Sequence, residues 1–139
     1  MDASTENSAT EETAHWRRVF LVAALYDVIL GAVFFLFWKP IFKLLHITPP
    51  ENKSYIHLSA AFVFVQGVSY WFVKRDLRRN VDIVKVGLVY KTVYTAIAAY
   101  YLAIGQLISA VFAWLAVFDA VFIVLFARFL AAIRRWETE

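Results

Sequence analysis

An all-α fold, a transmembrane bundle of four antiparallel helices, is what this sequence predicts, and three observations carry the prediction. The 139 residues are 62% hydrophobic, against roughly half for an ordinary globular chain. The apolar residues fall in four runs near the ~20 residues that a helix needs to cross a bilayer. The basic residues collect at the ends of those runs, where lipid headgroups lie. One membrane domain over residues 16–136 follows, with the lipid bilayer as its solvent. The same charge placement argues against nucleic acid as a partner. No cysteine is present, which removes disulfides, thiolate metal sites and thiol redox chemistry.

Residues 1–15 hold Asp2, Glu6, Glu11 and Glu12 among Ser, Thr and Asn without apolar periodicity, and read as a disordered acidic tail. Residues 1–14 carry no basic n-region, so the apolar run from near Val19 is expected to be kept as a span and not cleaved as a signal sequence. Ser8 and Glu11 have capping-box spacing, a start for a helix ahead of the membrane. The first span is expected over about residues 19–38. A short interfacial helix from Pro40 to Ile47 should follow, with Pro40 in its first turn, Ile41, Leu44 and Leu45 on one face, and Lys43 and His46 off it. Pro49 and Pro50 end it. Further spans are expected over about 57–73, 86–104 and 107–129. The last two are joined through Gly105 and Gln106, a connection short enough to make them antiparallel neighbours.

Arg17, Arg18, Lys74, Arg75, Arg78, Arg79, Lys85, Arg128, Arg134 and Arg135 fall on one side of these spans, and only Lys39, Lys43 and Lys53 on the other. The positive-inside rule then places both termini and the central loop in the cytoplasm, as in a multi-pass protein of the cell inner membrane. Trp16, Trp71 and Trp136 are expected as an aromatic belt at the inner boundary, and Trp38, Tyr100 and Tyr101 at the outer one. Small multidrug resistance transporters share the four spans and a carboxylate in the first. Their charge is nearly balanced between the two sides and their carboxylate is a glutamate in a different motif, so Asp27 is read apart from them.

Four side chains do not belong in lipid: Asp27, Gln66, Lys91 and Asp119, one per span. A central Asp or Lys costs about 2.5–3.5 kcal/mol on insertion scales, so these groups must face inward. Counted from the basic boundary, Asp27 and Asp119 lie ~13 Å deep, Gln66 ~12 Å and Lys91 ~9 Å with a long stem, so one buried polar network is expected. Ala23, Asp27 and Gly31 share a helix face, as do Gly87, Lys91, Thr95 and Ala99, and small residues at that spacing let helices approach closely. Tyr70, Tyr90 and Tyr94 are candidates to hydrogen-bond the layer. Either aspartate can pair with Lys91.

The layer has two readings. In one it fixes helix register. In the other the second carboxylate takes up a proton or cation, because two acids face one base. A third placement, at an interface with another copy or another membrane protein, also fits. Tyr26-Asp27 with Phe34-Phe35 is echoed by Phe118-Asp119 with Phe122 in a span of opposite direction, as inverted repeats are in transporters. Elsewhere the chain is plain. His46, Glu51 and His57 lack zinc spacing and read as interfacial polar residues, and His15 reads as a headgroup contact. Asn52, Lys53 and Ser54 match a glycosylation triplet that arises easily by chance. No phosphate loop, nucleophile elbow or dinucleotide fingerprint occurs, so no catalytic residue, metal or cofactor is assigned and no enzyme is expected.

The layout resembles small bacterial four-span membrane proteins of the DoxX-like and related families. The features are an aromatic-Asp pair ahead of a glycine (Tyr26, Asp27, Gly31), a Pro-containing loop over 39–50, a second span with Gln66, Gly67 and Tyr70 leading into a basic loop, and a closing Phe-Asp span. The resemblance implies a four-helix bundle and, for the prototype, association with a quinone-reactive oxidoreductase. The leading expectation is a non-enzymatic accessory or structural membrane subunit whose buried polar layer fixes register. The alternatives are a proton- or cation-coupled small-molecule transporter that uses the buried carboxylates and, by analogy with the resemblance alone, a quinone-associated subunit of a membrane redox complex.

Overall fold

The computed structural model describes the backbone of residues 3–136 and 138, and the side chains of residues 9–136 and 138. Among these residues it holds four helices, α1 (Ala3–Leu44), α2 (Ser54–Arg75), α3 (Val81–Ala103) and α4 (Ala110–Trp136), and no strand. Residues 3–15, which composition predicts as a disordered tail, continue α1, and no glycine or proline occurs before Gly31 to interrupt it. Trp136 Nε1 donates to Glu12 Oε2 at 3.2 Å, tying this extension to the end of α4. Met1, Asp2 and the side chains of 3–8, with Ser8 of the capping box, lie outside the described residues.

α1 does not end with its first apolar run. Phe37 departs from helical geometry (φ −119°, ψ 23°) three residues before Pro40. Proline lacks the N–H that would bond the Leu36 carbonyl, and its ring crowds that carbonyl, so the helix kinks there. The short helix expected over 40–47 is therefore the part of α1 beyond the kink, and it stops at Leu44. His46 adopts a left-handed φ of 54°. Ile47 N then donates to Phe42 O at 2.8 Å and His46 N to Lys43 O at 3.3 Å, a Schellman closure that satisfies the last carbonyls. α3 closes the same way at Gly105 (φ 69°), with Gln106 N donating to Tyr101 O at 2.8 Å. Ser109, whose Oγ accepts from Val111 N at 3.4 Å, then delays α4 to Ala110, three residues past the expected start. Between α2 and α3, Asn80 Nδ2 donates to the Phe72 and Asp76 carbonyls at 2.9 and 3.0 Å.

Ala9–Leu44, Ser54–Arg75 and Ala110–Trp136 are long and apolar enough to cross a membrane. α3, expected to contain the third span, is not among them, because Lys91, two threonines and four tyrosines dilute its apolar residues. Its outward face nonetheless carries exposed Val86, Val89, Val93 and Ile97, and the exposed Thr92 beside them donates its hydroxyl to the Leu88 carbonyl at 2.7 Å.

Helix spacing differs around the bundle. α1 and α2 meet at the backbone: a Cβ on Gly31 would lie 2.5 Å from Phe64 N, and one on Gly67 2.5 Å from Val28 N. α1 and α4 stand further apart and are bridged by rings. Centroid distances are 5.4 Å for Trp16 with Phe129, 5.2 Å for Phe20 with Phe126, 5.5 Å for Tyr26 with Phe122 and 6.4 Å for Phe34 with Phe112. A cluster of buried residues, with Trp16, Phe20, Tyr70, Val73, Phe126 and Phe129, lies in the half that carries the basic residues. Trp16 and Trp38, expected in the belts, are instead buried against protein, Trp16 on Phe129 and Trp38 edge-on to Phe42 and His57.

Phe126 is fully buried against Phe20, Tyr70 and Phe122. Phe126→Ala should cost about 3–5 kcal/mol of unfolding free energy. Unfolding in detergent micelles would measure it, and a loss below ~1 kcal/mol would mean that this half is not close-packed.

A buried ion cluster at the floor of a cavity

The kinked α1, the polar α3 and α4 each bring one charged side chain to a common point. Lys91 is fully buried, Asp27 is 2% exposed and Asp119 is 6% exposed. Lys91 Nζ donates to Asp27 Oδ2 at 3.1 Å, Asp27 Oδ1 at 3.3 Å and Asp119 Oδ1 at 2.7 Å. The open question of which aspartate pairs with Lys91 is thus answered by both. An ammonium has three donors and no acceptor. One N–H faces both oxygens of Asp27, because two ammonium N–H bonds diverge too widely to serve one carboxylate, and a second faces Asp119 Oδ1; Asp119 Oδ2 receives no hydrogen bond among the described residues.

Rings surround the ammonium. Phe122 lies 5.1 Å from Nζ, Tyr26 and Tyr70 5.6 Å, and Tyr90 6.0 Å. At such distances the negative ring faces stabilise a cation and exclude water from it. Tyr26 and Phe122 stand in the echoed aromatic-Asp pairs of the sequence but were not assigned to the polar layer. Their signal was present all the same, since Tyr26 precedes Asp27 and Phe122 lies three residues after Asp119 on the same helix face. The echoed aromatic-Asp pairs also meet, with Tyr26 and Phe118 rings 6.1 Å apart.

Gln66 takes no part in the cluster. Its side chain approaches Tyr70, and its amide nitrogen is buried without a hydrogen-bond partner of good geometry. Tyr94 lies further along α3, where its hydroxyl donates to the Phe112 carbonyl at 3.5 Å.

Beyond the cluster, away from the basic half, the helices diverge around a half-enclosed cavity of about 410 Å³. Asp27 and Asp119, with Tyr26 and Tyr90 beside them, line it at the ion cluster, and Tyr94 lines it further along α3. Phe42, Ile47 and Pro50 from the segment after the kink, with Ile108 from the α3–α4 connection, line its far end. Its walls are apolar otherwise, among them Leu30, Phe34, Val63 and Leu115. The size and character fall in the range of small-molecule sites, which are mainly apolar with a few placed polar groups. The bundle is therefore asymmetric about its ion cluster, with packed aromatic rings on one side and this cavity on the other. Comparisons with protein-family models, with curated proteins and with solved structures find no match, so the chemistry of the site is read from its geometry.

Proposed function

We propose that this chain is a non-enzymatic multi-pass membrane protein of the cell membrane that acts as a proton- or cation-coupled carrier for a small molecule. In this reading all four helices cross the bilayer as an antiparallel bundle, both termini are cytoplasmic, and the part of α1 beyond the kink rests in the outer interface. The ten-to-three distribution of basic residues supports the orientation. For α3 as a span, the support is its exposed apolar residues combined with a lysine that is buried and ion-paired, since a group neutralised inside the protein does not face lipid.

One observation carries the functional reading: the cavity reaches the two carboxylates, and packed rings close the opposite side. A network that served only to hold register would gain nothing from access to its acids. The register reading has its own support in the hydrogen bonds of Lys91 to Asp27 and Asp119, which link α1, α3 and α4. It describes how the cluster is held, and it is compatible with Asp119 also acting as a site.

The test is ion flux in liposomes that contain the purified protein and a trapped pH-sensitive dye. Under an imposed potential, and with a panel of small amphipathic solutes added outside in turn, wild type should dissipate a pH gradient faster than empty liposomes given the same solute. Asp119→Asn, which keeps an acceptor for Lys91 but removes one charge, should lower that rate at least tenfold while the protein elutes as a folded species. Absence of wild-type flux above empty liposomes would remove the coupled-carrier reading and leave the accessory-subunit one.

A further inference from the structure

We infer that the cavity ligand is a monovalent organic cation, an ammonium on an apolar body, and that it is received by Asp119 Oδ2. The inference rests on the reading of the cavity as a ligand site and adds the class of ligand.

Charge balance comes first. Two carboxylates and one ammonium form the cluster, so with all three ionised it carries one net negative charge. Hydrogen-bond balance locates that charge. Asp27 gives both oxygens to Lys91, and Asp119 gives only Oδ1. The aspartate with the open oxygen is also the more accessible one, its side chain 9% exposed against 2% for Asp27 and 0% for Lys91. Asp119 lines the cavity, so its open oxygen and the surplus charge are at the cavity floor. A second observation points the same way: the Tyr26 hydroxyl, in the same lining, is buried and has no hydrogen-bond partner. It can accept from a donor lying against Asp119.

The rest of the cavity excludes other classes. An anion would meet Asp119 directly, and Lys91 is fully buried and not among the residues that line the cavity. A dication would overcompensate a single charge at a place where unpaired charge is costly. A small hydrated ion would leave apolar walls such as Leu30, Phe34 and Leu115 without contact, whereas an apolar body fills them. Tyr26 and Tyr90, which line the cavity, hold their rings 5.6 and 6.0 Å from the Lys91 ammonium, so aromatic faces stand beside the charged group, as cation recognition favours.

Three probes of one shape separate the possibilities: 2-naphthylethylamine, 2-naphthylethanol and 2-naphthylacetate, each titrated against the full chain in nanodiscs with empty nanodiscs subtracted. The expected result is saturable binding of the amine at least tenfold tighter than the alcohol, with no measurable binding of the acid. Asp119→Asn should weaken the amine at least tenfold and change the alcohol less than twofold. Asp27→Asn, which removes the surplus charge but not the open oxygen, should weaken the amine as well. If amine and alcohol bind wild type equally, or Asp119→Asn leaves the amine unchanged, the cationic class is wrong while the cavity remains a ligand site. If none of the three binds saturably, the ligand-site reading itself fails. The amine-to-alcohol ratio in wild type needs no variant to fold.

Discussion

Lys91→Met should be the most damaging single substitution in the cluster, lowering stability by about 3–5 kcal/mol, because it leaves buried carboxylates without their cation. The stoichiometry makes the prediction asymmetric. Asp27→Asn leaves Lys91 with Asp119 in a neutral pair at 2.7 Å, and Asp119→Asn leaves it with both oxygens of Asp27. Each should therefore cost less than loss of the lysine, which leaves two acids facing each other inside rings of Tyr26, Tyr70, Tyr90 and Phe122. Combining Lys91→Met with Asp27→Asn and Asp119→Asn should recover much of the loss, since a polar but uncharged site lacks the unpaired ions that make the single change so costly. The check is unfolding of all four variants in the same micelle. Equal losses for Lys91→Met and Asp27→Asn would show that the charges are not confined together, and would count against a two-to-one cluster.

Much of that cluster was legible before any coordinates. Asp27, Lys91 and Asp119 stand out because lipid tolerates them poorly, and counting residues from the basic boundary places them at similar depth. Gln66 satisfies the same count and yet turns to Tyr70. Depth along a helix does not specify azimuth, and a neutral amide lacks the long-range attraction that draws ions together. The helix termini at Gly105 and His46 show a related contrast. Glycine announces a left-handed closure, while a histidine that takes the same geometry gives no compositional sign. The kink was half legible: Pro40 marks a discontinuity, but only packing decides between a broken chain and a bent helix. Trp16 and Trp38 were misplaced because a tryptophan near a boundary suits an interface or a core equally well, and neighbouring rings on α4 and α2 captured them. The cavity left no local mark at all. It arises where the ring-bridged spacing of α1 and α4 continues beyond Asp27 and Asp119, and it is a property of spacing between segments far apart in sequence.

That spacing depends on the opposite side of α1, where Gly31→Ala and Gly67→Ala should each destabilise the bundle by roughly 1–3 kcal/mol, the range for overpacking a close contact. The direction is the informative part. In a helix interior Gly to Ala ordinarily stabilises by about 1 kcal/mol. Here the added methyl meets backbone that no rotamer change can move: Phe64 N at 2.5 Å and Ala60 O at 2.7 Å for Gly31, Val28 N at 2.5 Å and Ala24 O at 2.8 Å for Gly67. α1 and α2 must separate, and close backbone approach is what holds helices together where lipid and side chains are equally apolar. Gly31 is one turn from Asp27 on the same helix face, so the displacement also carries Asp27 relative to Lys91. Two consequences distinguish this from a simple loss of packing. The double variant should cost less than the sum of the singles, because the first methyl has already parted the interface that the second would clash with. Larger residues at Gly31 should weaken amine binding in proportion to their volume, since Gly31 also lines the cavity. Stabilisation by Gly31→Ala would mean that α1 and α2 do not pack at backbone contact, and the cavity would then lose the fixed wall on which its selectivity depends.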